Sequence, residues 1–171
     1  MTTSLRTIYQ AFGFLTTEAP STSLQMIEQH RKAGRVGATF VNQALSAIVY
    51  VSDVREGSIT AGLGVGVEKH YDDTYGDYLG ERSIKDVRFT FVLAYDAALR
   101  EVALALSARD QVQFQGRVSA VRAEREGNYG LGDWHYHNLL GFFPSISVDV
   151  TLASLAKTSP HDHAWLTREL T

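Results

Sequence analysis

The stretch Leu106–Arg122 reads LSARDQVQFQGRVSAVR, and the part that follows Asp110 decides the fold class. Apolar and polar residues alternate there with a period of two, which is the pattern of a β-strand with one buried face. Gly116 falls on the apolar face, where a strongly coiled barrel strand often needs a position without a side chain. We therefore expect a curled strand in the wall of a small barrel. Its apolar positions are Val112, Phe114, Val118 and Ala120.

Other segments also have the composition or the alternation of strands. The most informative one follows the turn signal Glu56-Gly57 and runs over about residues 59–68. One of its faces is apolar, and the other is nearly bare because it carries Gly62, Gly64 and Gly66. A bare face lets a helix, an aromatic ring or a flat ligand approach closely, and we expect packing within the fold to use it. The remaining strands are expected at about 44–54, 87–95 and 146–152.

Capping patterns predict the helices. Thr22 and Gln25 have the spacing of a capping box, which predicts a helix over about 22–33 that ends at Gly34. Asp96 is expected to cap a second helix, over about 97–107. Ser159-Pro160 has the composition of a helix start and predicts a short last helix.

These elements together predict an α+β fold. Mainly antiparallel strands form a small coiled barrel or bent sheet, with two or three covering helices. Residues 5–15 suit either a strand or a helix, and the acidic, tyrosine-rich segment 69–86 is expected to be a loop. Residues 1–171 are expected to form a single domain, with a subdivision near residue 86 left open.

Composition excludes several classes of function. The chain has 16 Lys and Arg against 19 Asp and Glu, a net charge of −3, which excludes a strongly basic, histone-like nucleic-acid binder. The absence of cysteine excludes disulfide scaffolds, thiolate metal sites and cysteine nucleophiles. There is no nucleophile elbow and no phosphate loop, which favours a protein that is not an enzyme. Without a signal peptide or a long apolar run, we expect a cytoplasmic protein with no membrane partner.

The positions Asp110, Val112, Phe114, Gly116 and Val118 resemble the opening strand of many OB-fold modules. In those modules a turn with Asp often precedes the pattern V-x-h-x-G-x-V, where h is hydrophobic. The resemblance covers this one strand. OB folds are small Greek-key barrels whose strand faces and loops bind oligonucleotides or oligosaccharides. The resemblance therefore implies a non-enzymatic binding module, with single-stranded nucleic acid as a partner.

Binding of a single strand requires cations along the phosphates and aromatic rings that stack on bases. The cations predicted for this role are Arg117, Arg122 and Arg125, and the predicted stacking residues are Tyr129, Trp134 and Tyr136. The arginines alternate with acids, so that the segment 109–126 carries four Arg against three acids, a net charge of +1. The alternative is an ordinary strand with a solvated Gln and Arg face and aromatic residues in the core.

Two further hypotheses come from other parts of the chain. The tyrosine-rich acidic loop at 71–81 suits a protein-interaction module, such as an adaptor, an inhibitor or a homo-oligomer. His135 and His137 are two residues apart and would share one side of a strand, a placement that suits a metal site. A barrel that binds a metal or a small ligand through this His-x-His pair is the third hypothesis. No other cofactor is expected.

Overall fold

The computed structural model describes residues 1–17, 20–65, 68–71, 78–82, 87–127 and 142–159. The helices are α1 (Leu5–Ala11), α2 (Phe14–Thr17), α3 (Ser23–Ala38) and α4 (Arg100–Leu104), and a 3₁₀-helix over Ala97–Leu99 leads into α4. The strands are β1 (Ala44–Arg55), β2 (Ser58–Val65), β3 (Glu68–Tyr71), β4 (Tyr78–Arg82), β5 (Val87–Ala94), β6 (Gln111–Gly127) and β7 (Phe142–Lys157). None of the helices in these ranges is long and apolar enough to cross a membrane.

Five strands close into a barrel in the order β1-β2-β5-β7-β6, and β6 pairs with β1 to complete the circle. All neighbouring strands are antiparallel except β5 and β7, which are parallel. The strand order departs from the chain order at β6 and β7, as in a Greek key. A five-stranded Greek-key barrel is the architecture of the OB fold. The predicted α+β barrel is confirmed, and its architecture is OB-like.

The interior of the barrel is filled by the apolar faces of its strands. On β2, Ile59, Ala61 and Leu63 point inward, as their alternation predicts. The rings of Phe91 on β5 and Phe114 on β6 meet edge to face at 5.8 Å across the core. Burial of each such side chain stabilises the fold by about 1.5–3 kcal/mol relative to its exposure.

Two β-bulges interrupt the pairing of β6 with β7, the first with Ala153 on β7 as the extra residue and the second with Ser119 on β6. The second bulge changes which residues face the core, so that Val121 is buried, whereas the simple alternation predicted Ala120. The prediction for Gly116 is confirmed, since a Cβ there would lie 2.5 Å from the carbonyl oxygen of Thr151.

Helix α3 begins as predicted but ends later. Thr22 Oγ1 accepts a hydrogen bond from the backbone N–H of Gln25 at 3.1 Å, which caps the helix. The helix then passes through Gly34 and ends at Ala38, so the predicted end at Gly34 is wrong. The reason is tertiary packing: Ala33 and Gly37 are buried, and Gly37 lies directly against the backbone carbonyl of Val121.

Three other predictions need correction. The predicted loop at 69–86 contains β3 and β4, which pair with each other. The predicted helix at 97–107 is shorter, because Ser107 N–H donates to Asp110 Oδ2 at 2.8 Å and turns the chain toward β6. The stretch that resembles an OB opening strand is β6, the fourth barrel strand in chain order. A coiled strand with a glycine bend has the same sequence pattern wherever it lies in the barrel, so the pattern did not determine its position.

Candidate nucleic-acid interface

The outer face of β2 carries almost no side chains at its centre. Gly62 lies between Tyr50 on β1 and Thr90 on β5 in the hydrogen-bonded register. A Cβ added at Gly62 would meet, among the described residues, only the carbonyl oxygen of Phe89, at an ordinary contact distance of 3.5 Å. Gly64 continues the bare row opposite Arg88. The described part of the chain therefore leaves this face open at Gly62, and the packing expected from the sequence does not use it there.

Tyr50 borders the bare row on the β1 side. Its side chain is held at one end, where Gln111 Nε2 donates to the phenolic oxygen at 3.1 Å. Gln111 is itself buried and accepts a hydrogen bond from Thr158 Oγ1 at 2.9 Å. Tyr50 is 38% exposed. An aromatic ring with a fixed position and an open surface is suited to stack on a planar ligand.

The same transverse row continues from β5 to β6. Thr90 pairs with Ser147 on β7, and their hydroxyl oxygens are 3.3 Å apart. Ser147 in turn lies opposite Arg122 on β6. The Arg122 guanidinium makes two contacts with the Asp149 carboxylate, at 3.1 and 3.2 Å. This row therefore joins Tyr50 to Arg122, one of the predicted phosphate-binding arginines, through small and hydroxyl-bearing residues. We name the outer surface of β2 and β5 with Tyr50 the glycine face.

The predicted arginines lie along β6. Arg117 and Arg122 are both exposed on the outside of the barrel, because the bulge at Ser119 restores the alternation between them. At about 3.3 Å per residue they are roughly 16 Å apart along the strand. Arg125 lies farther along the same strand, in register with Pro144. The two exposed cations Arg117 and Arg122 are compatible with a nucleic-acid backbone that runs along β6.

The predicted stacking residues Tyr129, Trp134 and Tyr136 lie outside the described residues. So do His135 and His137 and most of the acidic tyrosine-rich loop, so these predictions stay predictions. Within the described ranges, no group of three His, Asp or Glu side chains is arranged to hold a metal ion.

The segments that carry these residues leave the barrel at adjacent positions. Residues 66–86 connect β2 to β5, and the ends of those strands pair at Val65 and Val87. Residues 128–141 connect β6 to β7, and Ser145 near the start of β7 pairs with both Arg88 and Glu124. Both segments therefore start at the same end of the barrel, beside the Gly64 end of the glycine face.

Sequence reasoning missed Tyr50, Arg88 and Thr90 as candidate residues. The glycines of β2 could be recognised in the sequence, but the residues beside them on β1 and β5 depend on strand pairing. These neighbours could be identified only from the registers of β1 and β5 with β2.

Comparisons with known proteins give structural likenesses. No family model matches the chain, and no curated protein matches it. One similar structure is the small single-stranded DNA-binding protein from Streptomyces coelicolor, at 16% identity and a TM-score of 0.31, covering 72% of this chain and 97% of that one. Another is a Plasmodium falciparum SSB in complex with ssDNA, at 12% identity and a TM-score of 0.32, covering 70% of this chain and 96% of that one.

Proposed function

We propose that this chain is an OB-type module that binds single-stranded nucleic acid, with the glycine face as the place where a base lies. The observation that carries the proposal is the open position of Gly62 between Tyr50 and Thr90. A planar base needs a surface that it can approach to van der Waals distance, and a strand without side chains provides one. In OB folds the face of the second and third barrel strands is a common ligand surface, and here those strands are β2 and β5.

Stacking and hydrogen bonding supply different parts of the affinity. A base stacked on Tyr50 would gain about 1–3 kcal/mol, a typical value for an aromatic platform. Thr90 and Ser147 present hydroxyl groups along the same row, and hydroxyls are frequent partners of sugar and phosphate oxygens. Because such contacts do not read base edges, the proposed binding has little sequence preference.

The arginines are assigned to the phosphates. Arg117, Arg122 and Arg125 would contact phosphates of a strand that runs along β6, with the phosphates at Arg117 and Arg122 more than one nucleotide apart. Arg88 on β5 would contact the strand as it crosses the glycine face. Tyr129, Trp134 and Tyr136 would add stacking from the segment that joins β6 to β7, which corresponds to one of the ligand-binding loops of OB folds. The net charge of −3 limits long-range attraction, so short contacts must provide most of the affinity.

Fluorescence anisotropy with labelled oligo-dT and oligo-U at low salt tests the proposal. We expect saturable binding in the micromolar range. The salt dependence should be weak, with a slope of about −2 to −3 on a log–log plot, because only about three or four phosphates are neutralised. A duplex of the same length should bind more weakly, because its bases are not free to stack. Flat curves for both single strands at tens of micromolar protein would overturn the proposed function.

A further inference from the structure

A groove of about 710 Å³ lies on the outer wall of the barrel where β1, β6 and β7 meet. It shares no residue with the glycine face. Its volume lies in the range typical of small-molecule sites, roughly 300–1,000 Å³. Its lining combines the apolar side chains Leu45, Val118 and Leu152 with small and polar ones. The small and polar ones used below are Thr2, Ser46, Arg117, Ser119, Thr151 and Ala153.

Two β-bulges form the groove. Ser119 and Ala153 are the extra residues of these bulges, since neither has a partner in the register of β6 with β7. Both line the groove. A bulge leaves one residue out of the ladder and bends the strand, which opens the surface beside it. The small side chains at these positions keep the opening clear, so the concavity follows from the strand pairing itself.

Arg117 is the charged residue of the lining, and the lining includes no acid among the described residues. Its Nη1 donates to the backbone carbonyl of Asn42 at 2.7 Å. Asn42 has a positive φ of 68°, and its own N–H donates to the carbonyl of Val118 at 2.8 Å. Asn is among the residues that adopt this conformation most readily. The turn before β1 therefore holds the guanidinium in place at the groove.

We propose that this groove binds a phosphate group carried on a nucleotide. A positioned guanidinium is a strong partner for phosphate oxygens. Around it, Thr2, Ser46, Ser119 and Thr151 supply hydroxyl groups, which hydrogen-bond to phosphate and sugar oxygens. The phosphate can belong to a free mononucleotide or to a strand bound elsewhere on the barrel. The groove shares Arg117 with the proposed phosphate contacts of the strand, but it does not depend on the glycine face, because a free mononucleotide can occupy it alone.

Titration calorimetry with adenosine 5′-monophosphate and with adenosine tests the site on the full chain. We expect the monophosphate to bind at least tenfold more tightly than adenosine, because only the former can pair with Arg117. Ser119→Glu places a negative charge at the groove and should weaken monophosphate binding tenfold or more. Ala153→Trp should weaken it as much by filling the space. Val102→Glu and Val102→Trp introduce the same groups at an exposed position on α4 and should leave binding unchanged.

The same variants with labelled oligo-dT identify the source of the phosphate. Weaker oligo-dT binding by Ser119→Glu, without measurable binding of the monophosphate, supports a strand phosphate in the groove. Loss of monophosphate binding alone supports a free nucleotide. Gly62→Leu, on the glycine face, should weaken oligo-dT and leave the monophosphate unaffected, which separates failure of this site from failure of the proposed function. The proposal is overturned if neither ligand responds to Ser119→Glu and Ala153→Trp, or if both adenosine and its monophosphate bind measurably and with equal affinity.

Discussion

Arg122 on β6 and Asp149 on β7 form a two-point ion pair on the outside of the barrel, with N–O distances of 3.1 and 3.2 Å. The Arg122 side chain is 60% exposed and that of Asp149 is 30% exposed. An exposed ion pair contributes at most about 1 kcal/mol to stability. A phosphate can therefore replace the carboxylate on the guanidinium at small cost, but Asp149 competes with it and repels it.

Removal of this competitor should strengthen nucleic-acid binding. We expect Asp149→Asn to raise the affinity for oligo-dT about threefold to tenfold at low salt, because one unit charge a few ångströms from a phosphate costs about 1 kcal/mol in water. Anisotropy titrations over a range of salt concentrations measure the change. Glu101→Gln on α4 makes the same charge change at an exposed site off the barrel wall and should have a much smaller effect. Equal gains for both variants would show that only net charge matters.

A side chain on the bare row should block the glycine face. Gly62→Leu places a Cβ in ordinary contact with its neighbours, and the leucine would then stand where the base is proposed to lie. We expect oligo-dT affinity to fall about tenfold or more, the loss of one stacked base. Gly34→Leu adds the same side chain at an open position on α3 and should leave affinity unchanged. Unchanged binding by Gly62→Leu, with an intact thermal transition, would exclude this face.

The ring of Tyr50 is expected to act by stacking. Tyr50→Phe removes the hydroxyl that accepts from Gln111 but keeps the ring, so affinity should fall less than threefold. Tyr50→Ala removes the platform and should cost about 1–3 kcal/mol of binding free energy. Anisotropy on both variants, with thermal unfolding measured in parallel, distinguishes stacking from stability. A phenylalanine variant that binds as poorly as the alanine variant would contradict a stacking role.

The strands could be predicted from the sequence because a period of two records burial on one face directly. Ile59, Ala61 and Leu63 face the core as their alternation requires. The extent of α3 could not be predicted in this way. A glycine inside a helix costs about 1 kcal/mol relative to alanine, and burial against a barrel that is distant in sequence offsets that cost. Gly34 therefore resembles a helix end in the sequence, although the helix continues to Ala38.

The candidate site depends on a single-residue shift that no local pattern encodes. From the turn at Glu56-Gly57, β1 and β2 pair regularly up to Asp53 and Thr60. A bulge then places Tyr50, and not Val51, beside Gly62, because the register shifts between Val51 and Asp53. Such a slip moves side chains from one face of a sheet to the other. The glycines could be recognised from the sequence, but their aromatic neighbour could not.

Helix α3 offers a matched pair of substitutions on one element. Gly37 lies against the carbonyl of Val121, so that Gly37→Ala would force the helix away from β6, and we expect a loss of about 1–3 kcal/mol of unfolding free energy. Gly34 has open space around it, and Gly34→Ala should gain up to about 1 kcal/mol. Urea unfolding measures both changes. Equal effects of the two variants would show that the helix does not dock on the barrel as described.

The turn that leads into β6 should make stability depend on pH in the acid range. The N–H of Ser107 donates to Asp110, and Lys157 Nζ lies 3.4 Å from its other oxygen. These contacts, the first more than the second, lower the pKa of Asp110 below its usual value. A lowered pKa in the folded state stabilises the fold at pH values above the unfolded pKa of about 3.9, and this stabilisation is lost as the pH falls through the folded pKa.

Wild type should therefore unfold at a higher temperature than Asp110→Asn above about pH 5, and the difference should shrink as the pH falls below 4. Lys157→Met should keep most of this pH dependence, because the backbone hydrogen bond is the larger cause. Parallel curves for wild type and Asp110→Asn from neutral pH down to the acid limit would show that the carboxylate does not stabilise this turn.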